Sequence, residues 1–163
     1  MPITPFHLGP GAAFKAIGGC HFSFMVFGGS QVLMDVEPAV QLYRGAEVLH
    51  GYTHTLAGAL LIGCVATLIG RPISLFVLGR LPGHYAPFSW GAAAAGAFVG
   101  TFSHVGFDAL MHPDMRPFWP FSPANPLLGA VPLDSLHLAC VLLGILGGLG
   151  VWLRTRSRRD GNE

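Results

Sequence analysis

The stretch Thr101-Phe102-Ser103-His104-Val105-Gly106-Phe107-Asp108-Ala109-Leu110-Met111-His112 closes a long apolar run with ionisable side chains. His104, Asp108 and His112 follow one another at intervals of four, so on a helix they share one face. Imidazole beside carboxylate on one face suits a divalent cation such as zinc. The competing reading is a packed histidine paired with Asp108. An ionisable residue inside a membrane-length apolar run is expensive to keep, which argues for a function.

Related residues recur at the ends of other apolar runs. Met34-Asp35-Val36-Glu37-Pro38 ends the first, and Pro38 biases Glu37 away from helical geometry. Asp35 and Glu37 are two apart, so one can be a ligand while the other supports it or takes a proton. Leu49-His50-Gly51-Tyr52-Thr53-His54-Thr55 opens the second run, and histidines four apart can reach one metal from one helix. No His-Glu-x-x-His motif is present, so no metalloprotease base is implied. His7 stands just ahead of a short helix expected over 12–17, which Lys15 interrupts. Asp134 and His137 open the last run, with Asp134 read as a helix N-cap. His84 reads as a surface residue, and Ser122 and Asn125 as turn chemistry.

The elements that must position these residues are long and apolar. Residues 16–34, 48–70, 81–107 and 135–153 contain no Asp, Glu, Lys or Arg, and each is near the length that an α-helix needs to cross a bilayer. Half of the 163 residues are apolar, only 10% are charged, and 23 are glycine, a membrane profile rather than a soluble one. The expected fold is therefore all-α: a multi-pass membrane bundle of four main transmembrane helices plus a short, half-buried N-terminal helix. Residues 1–153 form one membrane domain, and 154–163 form a basic cytoplasmic tail. A proline-containing loop is expected over 71–87, with a short surface helix from Ile73 to Leu78. A net charge of +1 leaves no nucleic-acid footprint. Cys20, Cys64 and Cys140 are odd in number and lie in apolar surroundings, which suits buried side chains rather than disulfides or a zinc knuckle. No cleavable signal peptide is expected.

Alternating crossings bring the scattered residues together. The first span ends at Asp35 and Glu37, and the second begins at His50 and His54. The third returns to end at His104 and Asp108, and the fourth begins at Asp134 and His137. His7 joins them if the N-terminal helix crosses only part of the bilayer. Nearly all acids and most histidines thus collect at one membrane face. Lys15, Arg71, Arg80, Arg154, Arg156, Arg158 and Arg159 collect at the other, against Arg44 and Arg116 alone on the first. The positive-inside rule then puts the tail in the cytoplasm and the cluster outside.

Thr4-Pro5-Phe6-His7, the acidic pair, the His50-Gly51-Tyr52-Thr53-His54-Thr55 segment and His104-x-x-x-Asp108 together resemble the YdjM-like predicted membrane-bound metal-dependent hydrolases of bacteria. The resemblance extends from Thr4 to Leu128. It implies a protein of the bacterial inner membrane with His7, Asp35, His54, His104 and Asp108 as metal ligands, and Glu37 and His50 as accessory residues. The segment between His50 and His54 is one residue shorter than the family's His-Arg-Gly-x-Thr-His and lacks its Arg.

The expected activity is zinc-dependent hydrolysis of a phosphoester or lipid-like small molecule at the outer face, with Glu37 or His50 taking the proton from water. A transporter or sensor that binds metal without chemistry is the main alternative, and Ser30, Gln31 and Thr67 are the only midplane polar residues available to it. Haem ligation suits the carboxylates less well than zinc does. A purely structural polar cluster is the remaining alternative.

Overall fold

The computed structural model describes residues 4–82 and 85–160; His84 lies outside them. Five helices account for most of the chain: α1 Leu8–Gly18, α2 Phe24–Tyr43, α3 Leu56–Leu78, α4 Trp90–Met111 and α5 Leu133–Asp160. Single 3-10 turns occupy Thr4–His7, Gly19–His21 and Tyr52–His54, and no strand occurs among the described residues. The protein is all-α, as its composition implies.

Local chemistry sets the helix starts. Ser23, Thr55 and Ser89 are N-caps whose hydroxyls accept from the N–H groups of Val26, Gly58 and Ala92. Such caps typically contribute ~1 kcal/mol each. Two prolines expected to end helices do not. α2 runs through Pro38, and the Met34 carbonyl left without its helical donor faces the Thr53 hydroxyl at 3.5 Å. α3 runs through Pro72 to Leu78 without the expected loop, while Arg71 donates from Nε to the Phe88 carbonyl at 2.9 Å and covers the Trp90 ring. Asp134 lies inside the first turn of α5 rather than at its cap, and α5 continues past Leu153 through the basic residues.

Among the described residues two helices, not four, are long and apolar enough to cross a membrane by composition: Leu56–Leu78 and Leu133–Ser157. Their aliphatic faces are open, with Leu61, Leu68, Ile145 and Leu146 each more than 60% exposed. α2 and α4 have the length but not the hydropathy. They carry Gln31, Asp35, Glu37, His104 and Asp108 among many small residues, and α4 buries ten residues against its neighbours.

α2, α3 and α4 pack on one another, and α1 packs along α5. Met34, Ala59, Val105, Ala109 and Met115 form one apolar cluster, and Val26, Ala66, Ala93 and Ala97 form another. Close approach depends on glycine at two crossings. A Cβ at Gly100 would strike Ser30 Oγ on α2, and one at Gly147 would strike the backbone of Ala12 and Ala13 on α1. Lys15, Phe24, Leu78, Ser89 and Arg154 line one cavity, so α1, α3 and α5 finish at the end where α2 and α4 begin.

Gly100→Val should force α2 away from α4. The expected loss is ~1–3 kcal/mol, the usual range for overpacking. A lower unfolding midpoint in detergent would show it, and an unchanged midpoint would mean that the crossing is looser than described.

Candidate metal centre

At the opposite end the second half of α2, the turn before α3, the last turns of α4 and the start of α1 meet. Asp108 sits at the middle of this meeting. Its Oδ2 lies 3.1 Å from His104 Nε2 and 3.4 Å from His54 Nε2. Its Oδ1 lies 3.6 Å from His7 Nε2 and 3.9 Å from His112 Nε2. Asp35 reaches in from α2, with Oδ1 3.2 Å from His104 Nε2. Asp35, His54, His104 and Asp108 thus offer one ligand atom each, all within 4.8 Å of one another. Ligand atoms about 2.0–2.1 Å from a tetrahedral zinc are themselves roughly 3.3–3.4 Å apart, so the spacing fits.

Burial sharpens the case. His7, His54 and His104 are 3%, 0% and 0% exposed, and the Nε2 atom of each is buried without a hydrogen-bond partner. The ion-pair distances are short enough for attraction, but the directions do not make hydrogen bonds. A buried polar atom left unsatisfied costs about 1–3 kcal/mol. Three such atoms directed at one carboxylate are what a cation would satisfy.

The partners on the far side of two rings fix the tautomers. Gln31 Nε2 donates to the Gly100 carbonyl at 3.1 Å, which turns Gln31 Oε1 toward His104. Gln31 Oε1 can only accept, so His104 carries its proton on Nδ1 and keeps a lone pair on Nε2. His7 Nδ1 is 3.3 Å from the same His104 nitrogen, with the rings edge to face. On the other side, the Thr53 hydroxyl donates to Glu37 Oε2 at 2.5 Å and accepts from His54 Nδ1 at 2.9 Å. His54 therefore also keeps its Nε2 lone pair. Each is an arrangement by which a metal-binding histidine is held by an outer partner. Burial pushes the His7 imidazole down to about 4, against the pull of Asp108, so it is neutral at pH 7.

Of the residues singled out from sequence, Asp35, His54, His104 and Asp108 come together, and His7 joins them from the 3-10 turn. Glu37 lies behind Thr53. Its carboxylate accepts from the Tyr52 and Thr53 N–H groups at 3.2 and 2.8 Å and from the Thr53 hydroxyl. His50 adjoins the centre, its ring 4.9 Å from that of His54, but His50 and His54 do not share a helix face: the chain is irregular until Tyr52. His112 leaves α4 in extended geometry yet still points at Asp108. His137 packs with its ring tilted against Phe6, centroids 4.6 Å apart. Asn125 caps α4 by donating to the Ala109 carbonyl at 2.8 Å, and Ser122 accepts from Ala124 N–H in a turn. Thr53 and Asp114 were missed as site residues, and Gln31 was named only as a midplane polar residue for transport; neither type nor spacing marks them for this centre.

The fold and site define a helical membrane protein with a buried histidine–carboxylate cluster able to hold a metal ion. The pattern of the YdjM inner membrane protein family matches residues 21–161, and the chain belongs to that family. The match includes Asp35, His54, His104 and Asp108 but not His7. No curated protein and no solved structure matches the chain.

Gln31→Leu should leave the ligands in place but release the His104 ring. Loss of such an outer partner typically weakens metal binding about 10–100-fold. His104→Ala should instead abolish binding. Competition of zinc against a chromophoric chelator measures both, and equal affinities in Gln31→Leu and wild type would remove Gln31 from the site.

Proposed function

We propose that this chain holds a divalent cation, zinc by the character of its donors, and hydrolyses a phosphoester or lipid-like substrate at the outer face of the inner membrane. The observation that carries the reading is the convergence of buried, unpartnered histidine nitrogens on Asp108. Asp35, His54, His104 and Asp108 are the ligands, with His7 beside them. Imidazole and carboxylate together favour zinc over calcium or magnesium, which prefer all-oxygen sites. A cation there supplies Lewis acidity, enough to bring water toward nucleophilic form near neutral pH.

The remaining chemistry belongs to the chain. Gln31 and the Thr53–Glu37 pair aim the His104 and His54 lone pairs. Glu37 acts as a positioning residue rather than the proton acceptor expected from sequence, because three donors already engage it. The side chain of Asp35 is 35% exposed, so the centre opens on its α2 side. A groove between α2 and α3, walled by Leu33, Val36, Val40, Ile62 and Val65, runs up to Glu37 and Thr53. Its apolar walls suit an acyl chain and support a lipid-like substrate.

All four long helices cross the bilayer in this reading. α3 and α5 face lipid, while α2 and α4 bury their polar residues within the bundle. Residues 1–153 are the membrane domain, and the basic end of α5 continues into the cytoplasm at 154–163. Lys15, Arg71, Arg80 and Arg154 belong to the cytoplasmic side by the positive-inside rule.

A reporter enzyme fused after Glu163 should be active only in the cytoplasm, and periplasmic activity would invert the orientation. Purified protein should contain zinc and turn over at least one of a panel of phosphodiesters and phospholipids, with His104→Ala losing both properties. Glu37→Gln should keep the metal, bound about 10–100-fold more weakly, whereas Asp35→Asn should lose most of it. Tight zinc binding without turnover of any panel member would replace the hydrolase reading with a non-catalytic metal protein.

A further inference from the structure

Asp108 divides its oxygens between two sides. Oδ2 faces His104 and His54, and Oδ1 faces His7 and His112. Next to His112 lies a second group of ligand-type residues. His50, His112 and Asp114 offer one atom each, all within 4.8 Å of one another, and none belongs to the zinc set. The His50 and His112 rings stack with centroids 4.3 Å apart, and the Nε2 of His112 is the atom turned toward Asp108 Oδ1.

The loops hold this group in place. Asp114 Oδ2 accepts from the Leu49 and His50 N–H groups at 2.9 and 3.1 Å, and Asp114 Oδ1 lies 2.9 Å from His50 Nδ1. Burial alone would raise the Asp114 carboxyl. The backbone and ring donors of His50, with the Leu49 N–H, outweigh it and bring the group down to about 2. The Asp114 carboxylate, held by the Leu49 and His50 N–H groups, stands beside two imidazoles. The Asn125 side chain and the Gly129 N–H tie the connection after α4 back to the end of that helix, through the Ala109 and Leu110 carbonyls. The Leu56 N–H donates to the Pro117 carbonyl at 2.8 Å, which joins the loop before α3 to the loop after α4.

We propose that His50, His112 and Asp114 form a second divalent-cation seat, with Asp108 as the carboxylate between the two seats. The proposal rests on the first centre being a metal site. The hydrogen bond between His50 Nδ1 and Asp114 is the one a cation replaces, so His50 serves cation binding rather than proton transfer. Two imidazoles and a carboxylate leave positions open for water or substrate oxygens. His112 and Asp114 are only partly buried, unlike His54 and His104, so the second seat is the weaker and more exchangeable one. Paired cations suit a substrate that presents two anionic oxygens to both at once, which narrows the substrate class to phosphoesters.

The test is manganese and zinc binding by the full chain in detergent. Equilibrium dialysis should give about two equivalents per wild-type chain, and two manganese ions sharing a carboxylate should show exchange coupling in their paramagnetic resonance spectrum. Asp114→Asn keeps the acceptors for Leu49 and His50 and so keeps the loop. It should bind about one equivalent, with an uncoupled manganese signal and the affinity of the tight site changed less than about threefold. His112→Ala should behave alike, with unchanged helical circular dichroism. A wild type that binds a single equivalent, or two without coupling, overturns the second seat and leaves the first. Two equivalents surviving in both variants would also overturn it. A wild type that binds none removes both readings.

Discussion

Asp108 is a carboxylate with almost no water around it, placed near the end of a helix whose other buried positions, His104 apart, are small or apolar. An ionised group in such a place must be matched by other charges or hydrogen-bond donors, or it takes up a proton. Asp108 has no Lys or Arg within ion-pair distance among the described residues, only histidines. Imidazoles that turn lone pairs inward cannot neutralise it. The outer partners of His104 and His54 turn those lone pairs inward. A cation resolves both demands, since it satisfies the nitrogens and offsets the carboxylates.

That constraint reaches the packing. Asp35 must arrive at His104 from α2, so α2 and α4 must cross closely. Gly100 permits the approach, and its carbonyl orients Gln31 at the same crossing. One small residue therefore sets both the helix spacing and the tautomer of His104. The turn at Tyr52–His54 is fixed in a comparable way. Glu37 gathers the Tyr52 and Thr53 N–H groups, and that hold places His54 over Asp108 before α3 begins.

The helical class, the gathering of histidines and acids at one end, and the meeting of Asp35, His54, His104 and Asp108 were legible in the sequence. Alternating direction is a property of chain order, so it survives errors in helix boundaries. The first span was expected at 16–34, and the corresponding helix α2 lies at Phe24–Tyr43, yet Asp35 still meets His104. Boundaries failed where proline was read as a stop. Pro38 and Pro72 stay helical because the carbonyls and side chains around them find tertiary partners, which no local rule contains. Gln31, Thr53 and Asp114 were illegible for a related reason. Gln31 acts through Gly100 and Asp114 through His50, 69 and 64 positions away, while Thr53 ties its neighbour His54 to Glu37, 16 positions away, and a glutamine or threonine on a helix or loop has no spacing that announces it.

The deficit of hydropathy in α2 and α4 follows from the same chemistry. α3 and α5 each contain a window apolar enough to cross a membrane. A helix that carries ligands gives up apolar positions to them, and to the amide and small residues that support them. Such a helix fits a membrane only if its polar face is covered. α2 and α4 cover each other, and α3 closes one side, with His104 and Asp108 directed into the cluster and Asp35 at its partly open edge. Low hydropathy in these two helices is thus what a centre buried inside a bundle requires. The apolar length that they lack is supplied by α3, and by α5 with α1 packed along it.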